Sequence, residues 1–421
     1  MDTNKFFKYA RGGGLSSACL GLLFSIVQAE PLTLGQALQR AEAANLGLDA
    51  LHEQQVGARE RIAGAAALPD PKIQYTYFGE SVETRTGPQE AIYSMSQTIP
   101  WLKKLATRKA LATSNADTWS YLHQQGLLAL RCDVTTAYSE VVYHDQAVQS
   151  TEANLQLIDD MRAIVEERVR VGGSLNALLR LEVELERTLD QLARYEQARY
   201  AKRTELAALL SIEEAELGKL TAESPASRTL PSLRAMLATL ELQNPELLAL
   251  KERTDNASQR ADLSKLDQYP DFTFGVNYIQ VGESGSASDA GTDPWSVSMA
   301  VNLPIWGSKN SSAILAANAD KRSAEQLYRD RVLQLKAELS ATLAAHADSA
   351  QRVQRYQERL IPIAEQALEN SRTAYESGQL SVLELIDSER ALLEMNLNYA
   401  RAVSKVTQAD AALNALTGAI N

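Results

Sequence analysis

Apolar positions recur in two rhythms along this 421-residue chain. A three-four alternation runs through Leu127, Leu130, Val134, Ala137, Val141, His144, Val148, Thr151, Leu155, Ile158, Arg162, Val165 and Val169, and ten of these thirteen positions are apolar. So narrow a stripe predicts a long helix packed in coiled-coil fashion against partner rods, not one covering a broad globular core. A second seam follows the same rule through Leu339, Leu343, His346, Ala350, Val353, Gln357, Leu360, Ala364, Ala367, Ser371 and Ala374. Elsewhere the period drops to two. Trp295, Val297, Met299, Val301 and Leu303 alternate with Ser296, Ser298, Ala300 and Asn302, and Phe272 to Tyr278 and Ile73 to Tyr77 alternate likewise, each predicting a strand with one apolar and one polar face.

These rhythms predict helices over 33–67, 102–171, 175–210, 232–266, 309–377 and 381–417, with strands over 72–78, 91–99, 271–281 and 295–303. The two longest helices would each reach about 105 Å at 1.5 Å per residue, and helices 33–67 and 175–210 about half that. The order of elements occurs twice. Pro69 recurs as Pro270, Pro100 as Pro304 and Gly173 as Gly378, at offsets of 201, 204 and 205 residues. Offsets that drift by only four residues mark an internal duplication. A first repeat over 30–211 and a second over 232–421 are joined by a linker at 212–231, giving a mainly α chain with a small β part.

Composition narrows the class. With 42 Lys and Arg against 53 Asp and Glu the net charge is -11, which repels nucleic acid, and two cysteines cannot staple a chain of this length. Lys5, Lys8 and Arg11 precede the apolar stretch Leu15 to Val27 and a small-residue ending at Ala29, so residues 1–29 are expected to be a secretory signal peptide, its apolar stretch falling short of a spanning helix. The mature chain would carry 39 positive and 52 negative side chains and one cysteine, Cys132, expected as a small buried hydrophobe. No later segment offers eighteen apolar residues in a row, leaving a soluble exported protein or one embedded as strands.

The aromatic residues favour strands in lipid. Trp295 and Trp306 lie eleven residues apart, about 36 Å of strand and about 26 Å of height at a tilt near 45°. That height approximates an outer-membrane apolar band edged by aromatic girdles, a role expected of Trp101, Trp295 and Trp306. Four strands cannot close a barrel, so the barrel must be shared between chains: eight strands from two chains, or twelve with a passage from three.

Catalytic constellations are missing from the pattern. His52, His123, His144 and His346 show no metal-ligand spacing, and no nucleophile elbow, phosphate loop or dinucleotide fingerprint occurs in the mature chain. Neither a resident metal nor a cofactor is expected.

The duplicated unit, the Pro100-Trp101 and Pro304-Ile305-Trp306 exits from the strands and the two glycine turns resemble the TolC family of trimeric outer-membrane efflux factors across Glu30 to Asn421. Ala67 to Pro71 and Ser96 to Pro100 look like the heavy-metal-type branch. The resemblance implies a homotrimer with a twelve-stranded transmembrane β-barrel in outer-membrane lipid, continued as a periplasmic α-barrel, with no catalytic role. An inner-membrane transporter would drive export through a periplasmic adaptor docked at the helical tips, Val171-Gly172-Gly173-Ser174 and Gly378-Gln379-Leu380-Ser381. It also places acidic gate residues at Glu384 and Asp387 and a gate tyrosine at Tyr375, whereas Leu179 and Leu380 stand where the family's latch would need an acid and an arginine. Protein secretion through the same duct is the alternative cargo; a periplasmic coiled-coil adaptor or scaffold is the alternative class, less suited to two hairpins and membrane-type strands.

Overall fold

The computed structural model describes residues 31–222, 230–283, 288 and 290–419, so the expected signal peptide lies outside the described residues. In the first repeat α1 (Leu34–Ala44) and α2 (Leu46–Ala66) lead to strands β1 (Lys72–Thr84) and β2 (Gly87–Ile99), then to α3 (Leu102–Arg170) and α4 (Leu175–Leu209). The second repeat follows the same plan with α5 (Leu233–Gln243), α6 (Pro245–Leu266), β3 (Asp271–Val281), β4 (Trp295–Asn302), α7 (Gly307–Arg355), α8 (Ile361–Glu376) and α9 (Val382–Thr417).

Two expected helices are broken at matching places. Helix 33–67 stops and restarts at Asn45, and helix 232–266 at Asn244. Each asparagine caps the following helix through its Oδ1, accepting from Leu48 N at 3.1 Å or Leu247 N at 3.0 Å. Each also donates from Nδ2 to a carbonyl at the end of its repeat's last helix, Leu209 at 3.2 Å and Leu416 at 2.9 Å. The break therefore ties the start of each repeat to its end, and the N-cap hydrogen bond offsets the lost helical continuity.

The third departure is in the rod expected over 309–377, where a π-helical turn, Tyr356–Leu360, separates α7 from α8. Pro362 explains it. A proline inside a helix has no N–H for the carbonyl four residues back, and a π-turn accommodates the lost bond by adding a residue to the winding. Beyond it the expected seam is only partly kept: Ala364 is buried and Ser371 and Ala374 are half-buried. Gln357 and Ala367 of the expected seam are exposed, while Leu368 and Tyr375 turn inward. In α3, which has no such interruption, nine of the thirteen seam positions are buried and none is exposed.

The four strands form one antiparallel sheet in the order β1-β2-β3-β4. Strand pairing extends beyond the expected 72–78 and 91–99, because a bulge between Tyr77 and Val82 lets pairing resume to Thr84↔Gly87 across a tight turn. The register puts Ile73, Met95, Val276 and Val297 in one row and Tyr75, Tyr93, Tyr278 and Trp295 in the next. Gln74, Ser94, Asn277 and Ser296 line the opposite face. No helix covers the apolar face: Met299 is 62% and Trp295 71% exposed. Buried apolar residues instead form separate clusters strung along the rods, from Val134 and Leu206 in the first repeat and Leu240 and Leu339 in the second to Ile158 and Leu385 near the hairpin tips. The start of the linker is tied down. Its Leu220 pairs with Leu32 as an isolated parallel bridge, and the Tyr138 hydroxyl on α3 lies 2.8 Å from the carbonyls of both Leu32 and Thr221.

Candidate functional site

Both hairpin tips are built by the same chain reversal. At the end of α3, Gly172 has φ +99°, its N–H donates to Val169 O at 3.1 Å, and the N–H of Gly173 donates to Arg168 O at 2.8 Å. At the end of α8, Gly378 has φ +76°, donating to Tyr375 O at 3.0 Å, while Gln379 N donates to Ala374 O at 2.9 Å. These are paired Schellman closures, which need a left-handed residue at the first position past the cap. Gly173 is required for a second reason, since a Cβ there would lie 2.7 Å from Arg168 O. Val171, Ser174, Gly378 and Gln379 are exposed at the tips, but Leu380 is half-buried against the tip cluster.

The second tip continues into a capping box. Ser381 N and Oγ donate to Glu384 Oε2 at 3.0 and 2.8 Å, and these bonds hold the exposed Glu384 carboxyl below its usual range. Asp387 lies one turn further along, exposed and 3.5 Å from the Arg390 guanidinium. The two acids expected together are thus near neighbours on one outward helix face, one engaged in a cap and one in an ion pair.

Tyr375 has a different setting. It is only 4% exposed and packs among Ile158, Leu181 and Leu385, and burial pushes its hydroxyl upward. The Arg168 guanidinium sits 4.3 Å above its ring and donates to its carbonyl at 2.7 Å. Arg168 therefore ties the first hairpin to the second.

Further up the hairpins lies a polar cluster that sequence reading missed. Glu184 on α4, 7% exposed, holds Arg390 on α9 through both carboxylate oxygens. Next to it Glu389 is 6% exposed with Oε2 lacking any partner. Burial pushes its carboxyl up to about 7, the Arg372 charge pulling down and the Glu184 charge pushing up by smaller amounts. The only sequence signal for either glutamate was a charged residue on the inward side of a helix stripe. His52 and His123, far apart in sequence, meet edge to face with ring centroids 5.7 Å apart. Among the described residues no group of three or more His, Cys, Asp or Glu is placed to hold a metal ion.

The strand ends carry the tryptophans. Trp101 caps α3 and stacks on Tyr269 at 5.2 Å, above Lys104, whose Nζ donates to Asp271 Oδ1 and Tyr269 O at 2.9 Å. Trp295 and Trp306 are exposed at opposite ends of β4 and its exit. Among the described residues no helix is long and apolar enough to cross a membrane.

The chain thus combines duplicated rods ending in two glycine tips with a sheet whose apolar face is bare. The family described as outer membrane efflux protein matches residues 236–419. The outer membrane protein TolC of Vibrio cholerae is 24% identical over 407 residues, covering 92% of this chain and 90% of that one. The pyoverdine export outer membrane protein OpmQ of Pseudomonas putida is 23% identical over 403 residues, covering 89% and 83%. Among solved structures, the outer membrane protein VceC of Vibrio cholerae superposes with a TM-score of 0.76 at 18% identity, covering 91% of this chain and 96% of that one. Along about nine-tenths of its length the chain is similar to TolC-type outer-membrane proteins, and its second half matches the outer membrane efflux protein family.

Proposed function

We propose that the chain is the outer-membrane component of a tripartite efflux system, a passive duct from the periplasm to the exterior. The observation that carries this reading is the sheet: its rows from Ile73 to Val297 and Tyr75 to Trp295 are apolar and uncovered, and among the described residues no strand pairs with the outer edge of β1 or β4. An edge in lipid leaves backbone groups unpaired at several kcal/mol each, so the edges must meet those of other copies. Three copies give twelve strands and a lumen faced by Ser94, Asn277 and Ser296, with Trp295 and Trp306 at the two membrane interfaces. The helical rods then continue the passage into the periplasm.

In this assembly the tips around Gly172, Gly173 and Gly378 meet a periplasmic adaptor, which links the duct to an inner-membrane transporter. Glu384 and Asp387 from three chains place six carboxylates around the mouth and attract cations there. Tyr375 takes part in gating from inside the hairpin, through Arg168, and not as a group lining the pore. The family relationship and the uncatalytic residue pattern favour transport over enzymatic chemistry. Small-molecule export is the cargo class favoured by the relative named for pyoverdine export.

Deletion of the gene, followed by growth on metals, drugs and siderophore-producing media and by assay of secreted proteins, tests the cargo. Sensitivity to small molecules with normal protein secretion is expected; loss of protein secretion alone would move the duct to a secretion system. Gly378→Val should leave membrane insertion intact and abolish adaptor crosslinking, and unchanged crosslinking would remove the tips from the docking surface. The double substitution Glu384→Ala with Asp387→Ala should lower cation selectivity in planar bilayers, and unchanged selectivity would return both acids to the ordinary solvated surface.

A further inference from the structure

The carboxyl of Glu389 is buried at the junction of the two hairpins, where no ion pair or hydrogen bond reaches its Oε2. On α9, Glu389 sits one turn beyond Leu385 and Ile386, which pack with Ile158 of α3 and Leu181 of α4 in the tip cluster. From α4 it faces Glu184, whose two oxygens are already taken by Arg390. From α8 it is approached by the charge of Arg372, yet no ion pair or hydrogen bond reaches Oε2. On the α3 side this level carries Asn154, in the cleft with Glu184 and Arg390, and Ile158, both uncharged. The same junction is crossed by a hydrogen bond between Ser371 of α8 and Ser388 of α9 at 2.8 Å. An ionised carboxylate here loses its water, and the attraction of Arg372 only partly offsets that loss while the Glu184 carboxylate adds to it. The neutral acid suits the site, and the charged form suits only an arrangement that admits water.

We propose that Glu389 is a proton-operated lock on the periplasmic hairpins: protonated, it stabilises the packing of α9 against α4 and α8, and ionised, it drives that packing apart and eases opening of the duct. The proposal rests on the channel reading for its consequence, but the lock itself belongs to the hairpins of a single chain. It is independent of Glu384 and Asp387, which are exposed and already solvated.

The direction follows from linkage. The closed form holds the proton up to about pH 7, against an ordinary value of 4.5 for a hydrated glutamate. The closed packing is therefore most favoured at low pH and loses ground as pH rises from 4.5, the loss being complete above 7. A difference of that size corresponds to a closed-to-open ratio falling by up to about 300-fold if opening hydrates the carboxyl fully.

The test uses the full-length protein in detergent and in planar bilayers, comparing wild type with Glu389→Gln, a neutral side chain of the same shape. Amide exchange in residues 382–395, corrected for intrinsic rates, should accelerate in the wild type between pH 5.5 and 8 and should be flat in Glu389→Gln. Exchange that rises equally in both proteins, or in neither, overturns the lock. Glu389→Asp, which keeps the acid but shortens its reach, should retain a pH response; a flat profile there would also count against a carboxyl-specific lock. Wild-type conductance should rise over the same pH range and that of Glu389→Gln should stay low. Conductance absent at every pH alongside pH-dependent exchange would refute the channel reading while leaving the lock in place.

Discussion

Arg168 ties the first hairpin to the second at the tip, and removing it has a calculable effect. Its guanidinium lies over the Tyr375 ring at 4.3 Å and donates from Nη2 to the Tyr375 carbonyl at 2.7 Å, with the Glu376 carbonyl at 3.4 Å. A hydrogen bond from a charged donor contributes about 1.5 to 3 kcal/mol, and a partly exposed cation–π contact about 0.5 to 1 kcal/mol. Because Arg168 is half-exposed, solvent screening reduces the sum to about 2 kcal/mol. Arg168→Ala should thus raise local opening of the second tip by about 30-fold, read as faster amide exchange at Gly378 and Gln379, whose N–H groups close the turn. Exchange in the Asn45 and Asn244 junctions should not change. Arg168→Lys keeps the charge without the planar fork and should fall between the two. Tip exchange within twofold of wild type in Arg168→Ala would refute the latch and leave the hairpins held by apolar packing alone.

Met299→Arg, on the apolar row, should hinder trimer assembly by about 2 to 4 kcal/mol if near the bilayer midplane, while Ser298→Arg on the polar face should be mild; equal trimer yields on gel filtration would reverse the faces. Asn244→Ala removes the N-cap bond and the tie to Leu416 and should cost about 1 kcal/mol or more, seen as a lower thermal midpoint in detergent; no change would make the junction merely permissive. Glu140 tests acid stability: burial pushes its carboxyl up, but hydrogen bonds from Arg401 and Gln408 and the charges of Arg401 and Lys405 outweigh that and hold it low. The stability it contributes is present above 4.5 and lost as pH falls through its lowered folded value. Denaturation midpoints below pH 5 should therefore slope less in Glu140→Gln than in wild type, and parallel slopes would assign acid sensitivity elsewhere.

Much of this architecture was legible because rods and strands repeat their chemistry every few residues. The α3 seam and the alternation from Trp295 to Asn302 both survive folding, since periodic burial is a local property. The helix breaks were visible in principle. Asn244 precedes Pro245, a capping residue followed by the residue favoured at the first helical turn, but the uninterrupted apolar content on either side masks it. Pro362 was likewise the signal for the π-turn, and overlooking it keeps Ala367 in the seam and leaves out Leu368 and Tyr375, which face inward. The cluster of Glu184, Glu389 and Arg390 is another matter. Glu184 and Arg390 stand 206 residues apart, and a charged residue on a helix stripe carries no mark of the charge that will face it. Contacts between the repeats depend on how two rods register along their length, which neither rod's own pattern encodes.

The central claim is that this chain closes a membrane barrel only by sharing its sheet with other copies. Native mass spectrometry of the full-length protein extracted from outer membranes in mild detergent tests it most directly. A single dominant species with three times the mass of the mature chain, inserting into planar bilayers to give discrete conductance steps, is the predicted result. A monomer or dimer as the only species, or recovery of the mature chain in the soluble periplasmic fraction, would contradict it.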